Sequence, residues 1–423
     1  VYVMENVRGI LSSKLNGKLI FPRILKDLSS PYKTIQKSLN KTNYKLFSLT
    51  CSSSEDFNEL KPSDLSALKF RSVGPAFMSG RIADIAINPE NENEWYVAVG
   101  SGGVWKTSNS GTTWTPITDD QPFYSTGSIT IDPHNSSRIW LGTGENVGGR
   151  HVGIGHGVYM SENGGEKWKD MGLKSSEHIS KIIVSPEDPN LIFVASQGPL
   201  WSPGGERGLF RSNNGGKDWK NVLNVNEWTG VTDIVIDHNN PSTLYAATWQ
   251  RHRNVAAYMG GGPGTSIYKS VDNGKTWIEI KNGLPSSNLG KIGLAISPFD
   301  SSILYAAVET DRRNGGVYKS TNSGGSWKKM SDTVSGATGP HYYQELVASP
   351  HVFDKIYLMD TNVQVSENGG KDFSMMNEND KHVDNHSLTF KMSDPNYLLI
   401  GTDGGVYELS LIHISEPTRL GMI

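Results

Sequence analysis

Seven carboxylates, Glu145, Glu206, Glu309, Asp311, Glu345, Asp384 and Asp403, fall in polar, glycine-punctuated segments of this chain. Paired carboxylates are the chemistry of glycoside hydrolysis, in which one group protonates the leaving oxygen and the other acts as base or nucleophile, roughly 5–10 Å away. Sequence spacing alone does not pair them. Asp403, Glu145, Asp384 and Glu345 are the catalytic candidates, and for each the competing reading is a salt bridge to a neighbouring arginine. Around them lie groups suited to holding a ligand. Trp201, Trp249, Tyr258 and Tyr342 could stack on sugar rings or anchor a peptide. Arg150, Arg207, Arg251 and Arg253 could take carboxylates. His151, His252, His341 and His386 add neutral or cationic donors. No cofactor is expected. One option is a divalent metal at His382, Asp384 and His386, because an extended segment places alternate residues on one face; hydrogen-bonded strand histidines are the competing reading. No phosphate-binding loop, serine elbow or dinucleotide fingerprint is present.

Composition limits what could position these groups. The 423 residues include 46 glycines and 11 tryptophans, which points to many short strands joined by tight turns. Basic and acidic residues number 40 and 43, a net charge of −3, which excludes a strongly basic nucleic-acid binder. No apolar run approaches the ~18 residues of a membrane span. The single cysteine, Cys51, excludes an intrachain disulfide framework. Residues 1–62 are rich in Lys, Ser and Asn without turn punctuation and read as linker, disordered segment or artefact. Residues 409–423, with LSLIHISEPTR at 409–419, resemble a translated sequencing adapter and are set apart from the fold.

Between them the chain repeats. TSNSGTTW at 107–114, SENGGEKW at 161–168, SNNGGKDW at 212–219, SVDNGKTW at 270–277, STNSGGSW at 320–327 and SENGGKDF at 366–373 align with aromatic residues 54, 51, 58, 50 and 46 apart. A period near 50 is that of a propeller blade. The Asp or Asn side chain caps its own turn and glycine supplies positive φ, while the tryptophan locks the hairpin onto its blade. These turns are structural, and no chemistry is assigned to them. Each repeat also carries alternating apolar strands, as in IADIAINP at 82–89 and IGLAISP at 292–298. The expected fold is therefore all-β, a seven-bladed β-propeller spanning 63–408. Its last blade is truncated, and residues near Leu68–Arg71 offer a closing strand.

Antiparallel alternation sorts the loops. Turns between strands 1–2 and 3–4 share one face; the 2–3 loops and blade connectors share the other. The second face holds the long, chemically rich loops and seven of the histidines, so the site is expected there.

The segments FRSVGP at 70–75, GTGEN at 142–146, TWQRHR at 248–253, GPHYY at 339–343 and GTDGG at 401–405 resemble bacterial sortilin N-terminal-like, BNR-repeat (Asp-box) glycosyl hydrolases. The resemblance implies an exported protein, a second propeller as partner, and a glycan ligand. The architecture is also similar to two-propeller xyloglucan hydrolases, in which the base is the Asp of a Thr-Asp-x-Gly-Gly element in the first blade. Here that place reads GSGG at 100–103, with Ser101 in the Asp slot, while a TDGG element lies at 402–405 in the seventh blade. The alternative is a non-enzymatic sortilin-like propeller that binds peptides or proteins.

Overall fold

The computed structural model describes residues 14–15, 18–19, 80–148, 152–310, 315–335, 344–376, 381–410 and 418–419. Two compact units are present, Val1–Val73 and Gly74–Ile423. In the first, Lys14–Leu15 and Lys18–Leu19 form a small antiparallel pair. The segment at 68–71 lies outside the described residues.

The second unit is a seven-bladed propeller, all-β among the described residues. Blade 1 comprises Ile82–Ile87, Trp95–Val99, Gly103–Thr107 and Thr115–Pro116. Blades 2 to 6 begin with inner strands Thr126–Asp132, Ile179–Val184, Thr229–Ile236, Leu289–Ile296 and Leu346–Ala348. Blade 7 begins with Asn385–Phe390. Each blade is a four-stranded antiparallel sheet. Blade 4 inserts a small hairpin, His252–Arg253 with Tyr258–Met259, between its second and third strands. Blade 7 departs from expectation. Its third strand runs to Ser410, and Thr418–Arg419 pairs with Tyr407 and Glu408 as a fourth strand. An open sheet edge presents unpaired N–H and C=O groups, and a short extended segment from the tail meets that demand.

The core is distributed. Seven apolar clusters are buried, one at each junction between neighbouring blades. The ring closes where Ile82, Trp95 and Val97 of blade 1 pack against Leu399 and Val406 of blade 7. Glu92 reinforces this seam by accepting the N–H groups of Met392 and Ser393. Carboxylates staple two other seams. Asp84 Oδ2 accepts the Ile129 N–H of blade 2 at 2.9 Å, and Asp233 Oδ2 accepts the Leu294 N–H of blade 5 at 2.8 Å.

In all six repeated turns the Asn or Asp Oδ1 accepts a backbone N–H four residues on, as from Asn109 to Thr113 and Asp272 to Thr276. The leading hydroxyl accepts from the glycine four residues on, as Ser212 does from Gly216. Three of the five tryptophans act differently from expectation, while Trp277 bonds Gly274 within its own turn. Trp168, Trp219 and Trp327 donate their indole N–H to Ile117, Met171 and Ile280, each in the preceding blade. They therefore clamp one blade to the next, because the indole reaches across the junction to a carbonyl left over at the neighbour's outer strand.

Candidate functional site

Backbone bonds confirm the sorting of loops. Each repeated turn hydrogen-bonds the 1–2 turn of its own blade, as Gly164 does Ser137 and Gly215 does Asn190. On the opposite face the 2–3 loops interlock with the connectors. Gly155 N–H donates to Glu177 and Gly204 to Glu227, and Arg253 donates to Leu200 of the neighbouring 2–3 loop. Along this mouth one pattern recurs: the residue after the second strand donates its N–H to the residue before the inner strand. Gly100 pairs so with Arg81, Gln197 with His178, and Asp403 with Asp384.

Four side chains converge at the seam of blades 7, 1 and 2. Arg81 Nη1 lies 3.1 Å from Glu145 Oε1, and Arg81 Nε lies 3.5 Å from Asp403 Oδ1. His386 Nε2 donates to Asp403 Oδ1 at 2.7 Å. His386 occupies a register shift between Asn385 and Ser387, a bulge that re-aims its side chain. Asp403 is fixed by a tight turn in which Thr402 Oγ1 accepts the Gly404 N–H. Glu145 Oε2 accepts the Gly153 N–H at 2.6 Å, and its carbonyl accepts from His178 Nδ1 at 2.9 Å. Burial and the nearby guanidiniums of Arg251 and Arg207 hold His178 neutral, which suits that donor role.

The two carboxylates are tuned apart. Burial pushes Glu145 above the usual carboxylate range, although Arg81 opposes it. Burial pushes Asp403 up too, but the His386 hydrogen bond and charge, with Arg81, bring it below its ordinary value. Glu145 is 3% exposed and Asp403 31%, so the second meets solvent while the first is shielded.

The blade-1 loop is one residue longer than the blade-7 loop: counted from the second strand Asp403 matches Gly100, and counted back from the third strand it matches Ser101. A Cβ at Gly100 would lie 2.5 Å from Glu145 Oε1. The space that a blade-1 side chain would fill is thus occupied by a carboxylate from the blade-2 loop.

Not all expected groups join this cluster. Glu345 pairs with Lys291 at 2.7 Å, within a central channel of about 360 Å³ that Asp84, Lys181 and Asp233 also line. Asp384 adopts a left-handed φ of 67° and accepts the Asp403 N–H through its carbonyl. His382 Nδ1 lies 2.5 Å from the Val383 carbonyl. Among the described residues no group of three or more His, Cys, Asp or Glu side chains is placed to hold a metal ion. Arg207, Trp249 and Arg251 are buried rather than presented to ligand. The Arg207 guanidinium meets carbonyls of Gln197, Gly204, Ser202 and Trp228, and Arg251 those of Val147 and Gly198. Irregular loops carry unpaired carbonyls, and the arginines satisfy them. Trp249 donates to the Gly260 carbonyl and lies under Arg251. Trp201 is 53% exposed on the mouth. His252 packs against Trp228, and Arg253 lies over the Tyr258 ring. Arg150, His151, His341 and Tyr342 lie outside the described residues.

Sequence reasoning passed over Arg81 and Tyr124. Arg81 is the last residue before a strand rather than part of a loop, yet it holds the same register place as Asp384. Tyr124 is exposed on the mouth, and its carbonyl accepts the Gly103 N–H of the blade-1 turn.

A family model described as sortilin, neurotensin receptor 3 (Sortilin-Vps10) matches residues 207–338. The chain is 24% identical over 234 residues to a probable oligoxyloglucan-reducing end-specific xyloglucanase of Neosartorya fischeri, covering 51% of this chain and 25% of that protein. It is 25% identical over 236 residues to a xyloglucanase of Hypocrea jecorina, covering 48% and 26%. The chain therefore spans about a quarter of the length of these relatives. The crystal structure of the GH74 xyloglucanase from Xanthomonas campestris superimposes with a TM-score of 0.57 at 17% identity, over 79% of this chain and 53% of that one. The chain is distantly similar to both groups, and the structural likeness is one of fold.

Proposed function

We propose that this chain is a glycan-recognising propeller, the N-terminal part of a glycoside hydrolase acting on poly- or oligosaccharide. The observation that supports this reading is the Arg81 guanidinium spanning Glu145 and Asp403, two carboxylates with opposite protonation tendencies on the loop-rich face. Environments that push two acids apart assign their roles. Glu145, raised by burial, is assigned the role of general acid; Asp403, held below its ordinary value, is assigned that of base or nucleophile. His386 and the Thr402 turn orient Asp403, while Gly153 and His178 orient Glu145. Trp201 and Tyr124 offer exposed aromatic faces for sugar rings. A second propeller would complete the cleft, consistent with the 53% share of the Xanthomonas campestris chain that is matched. An exported location follows from polysaccharide as substrate.

The test is reducing-end release from a polysaccharide panel by the full-length protein, beside Asp403→Asn and Glu145→Gln. Loss of a catalytic acid or base lowers the rate about 10²–10⁴-fold. Equal release by both variants and the parent would remove these residues from the chemistry. A second reading, a non-enzymatic sortilin-like peptide binder, draws on the sortilin model match at 207–338. It gains if no glycan is cleaved or bound while peptides are retained.

A further inference from the structure

Across the ring from Arg81, a cleft of about 470 Å³ opens between the blade-4 insertion and blade 5. Glycines make it. Gly262 N–H donates to the Leu289 carbonyl, tying the hairpin to blade 5. A Cβ at Gly261 would lie 2.6 Å from that carbonyl, and one at Gly290 would lie 2.4 Å from Glu309 Oε2. Without side chains there, the two backbones approach closely and the Glu309 carboxyl faces the gap. Glu309 Oε2 accepts the Lys291 N–H at 3.1 Å, while the Lys291 ammonium is drawn to Glu345. Thr310 also lines the cleft, and its Oγ1 is shielded from water and without a hydrogen-bond partner among the described residues.

We propose that this cleft is a second ligand subsite, which takes a neutral, hydroxyl-bearing ring such as a sugar residue against Glu309, Thr310 and Gln250. The proposal rests on the glycan reading and extends it to a place distant from the Arg81 cluster. The volume suits one or two sugar rings, within the range of small-molecule sites. Gln250, Asn288 and Thr310 are neutral donors and acceptors, and Tyr258 with the half-exposed Met259 gives an apolar wall. Charge disfavours ions of either sign. Glu309, when ionised, faces an anion, while Arg253, over the Tyr258 ring, opposes a cation. Burial pushes the Glu309 carboxyl up to about 7, so that it donates as well as accepts below that pH. The groups facing it are Lys291 from its own blade and Tyr258 from the insertion, with Glu345 on the far side of Lys291.

The test uses the Asp403→Asn chain, in which hydrolysis at the first site is disabled, titrated calorimetrically with xyloglucan heptasaccharide. The expected affinity is about tenfold weaker at pH 8.5 than at pH 5.5. Glu309→Ala weakens it about tenfold at pH 5.5. Glu309→Gln, whose amide imitates the protonated acid without changing shape, binds equally at both pH values. Retained binding and pH dependence in both Glu309 variants, with loss in Trp201→Ala, would place the glycan elsewhere on the mouth and overturn the subsite alone. Failure of the parent chain to bind the heptasaccharide or any oligosaccharide of the panel would overturn the subsite together with the glycan reading.

Discussion

The two faces of the propeller solve the same backbone problem in opposite ways. On the turn face, every blade from 1 to 6 uses the same side chains: a hydroxyl, an Asn or Asp, glycines and an aromatic residue, with the same hydrogen bonds. On the mouth face, the backbone bond repeats but the side chains do not. The residue before the inner strand is Arg81, Ser125, His178, Trp228, Glu345 or Asp384, and its partner is Gly100, Gly144, Gln197, Arg251, Met359 or Asp403. Where side chains close the turn, their identity is constrained. Where the backbone bond suffices, their identity is free, and chemistry gathers there.

The contrast predicts that damage to the turn face costs stability, and damage to the mouth costs activity. The largest stability effect is expected at the clamping tryptophans. Trp327 is 5% exposed, packs in the blade 4–5 cluster and bonds Ile280. Trp327→Ala should cost about 3–5 kcal/mol in denaturant unfolding. In a chain that still folds, ligand affinity should be unchanged. A matched loss of affinity would break the separation of faces.

Gly100→Ala is the converse. Gly100 has no left-handed φ, so alanine is conformationally tolerated, but its Cβ would displace the Glu145 carboxyl. A misplacement of about 1 Å costs on the order of 10²-fold in rate, with little change in melting temperature. Gly216→Ala on the turn face, at φ +80° and with its Cβ 2.7 Å from Trp140, should do the reverse. Equal effects of the two on melting would sink the distinction.

The fold was legible because the repeat sets the strand register, and register sorts the loops. Asp403 and Glu145 were legible as loop carboxylates, but their partner was not. Arg81 sits at a strand start, and only alignment by register brings it level with Asp384. The arginines misled for a physical reason: Arg207 and Arg251 lie in long polar loops that suggest exposure, yet such loops need buried donors for their own carbonyls. The reach of Trp168, Trp219 and Trp327 into the preceding blade depends on how blades stack, which one repeat does not reveal.

A smaller effect separates the faces by pH. Burial lifts Glu309 to about 7 and Asp84 to about 6. Both folded values lie above the unfolded ones, near 4, so the folded state binds more protons in between. Their contribution is fully present below about pH 4 and is lost as pH rises through 6 to 7. Unfolding free energy should therefore fall by about 1–3 kcal/mol between pH 5 and 8. Glu309→Gln should remove part of that fall, and an unchanged pH profile would show that Glu309 is ionised throughout.

The smallest expected effect is at Asp272, the one aspartate among five asparagines in the repeated turns. Its carboxylate accepts the Thr276 N–H and hydroxyl, then the Ser270 hydroxyl and the Lys275 N–H, which together hold it well below the usual range. A depressed folded value contributes stability above the unfolded value, lost as pH falls through the acid range below about 4. Asparagine keeps the Oδ1 acceptor that serves the other five turns and gives up only the charge. Asp272→Asn should thus cost about 1 kcal/mol or less at pH 7 and reduce acid sensitivity below pH 4, as read by parallel urea titrations. A cost several times larger would mean that the charge itself holds blade 4, and that the turn face is less uniform than its hydrogen bonds.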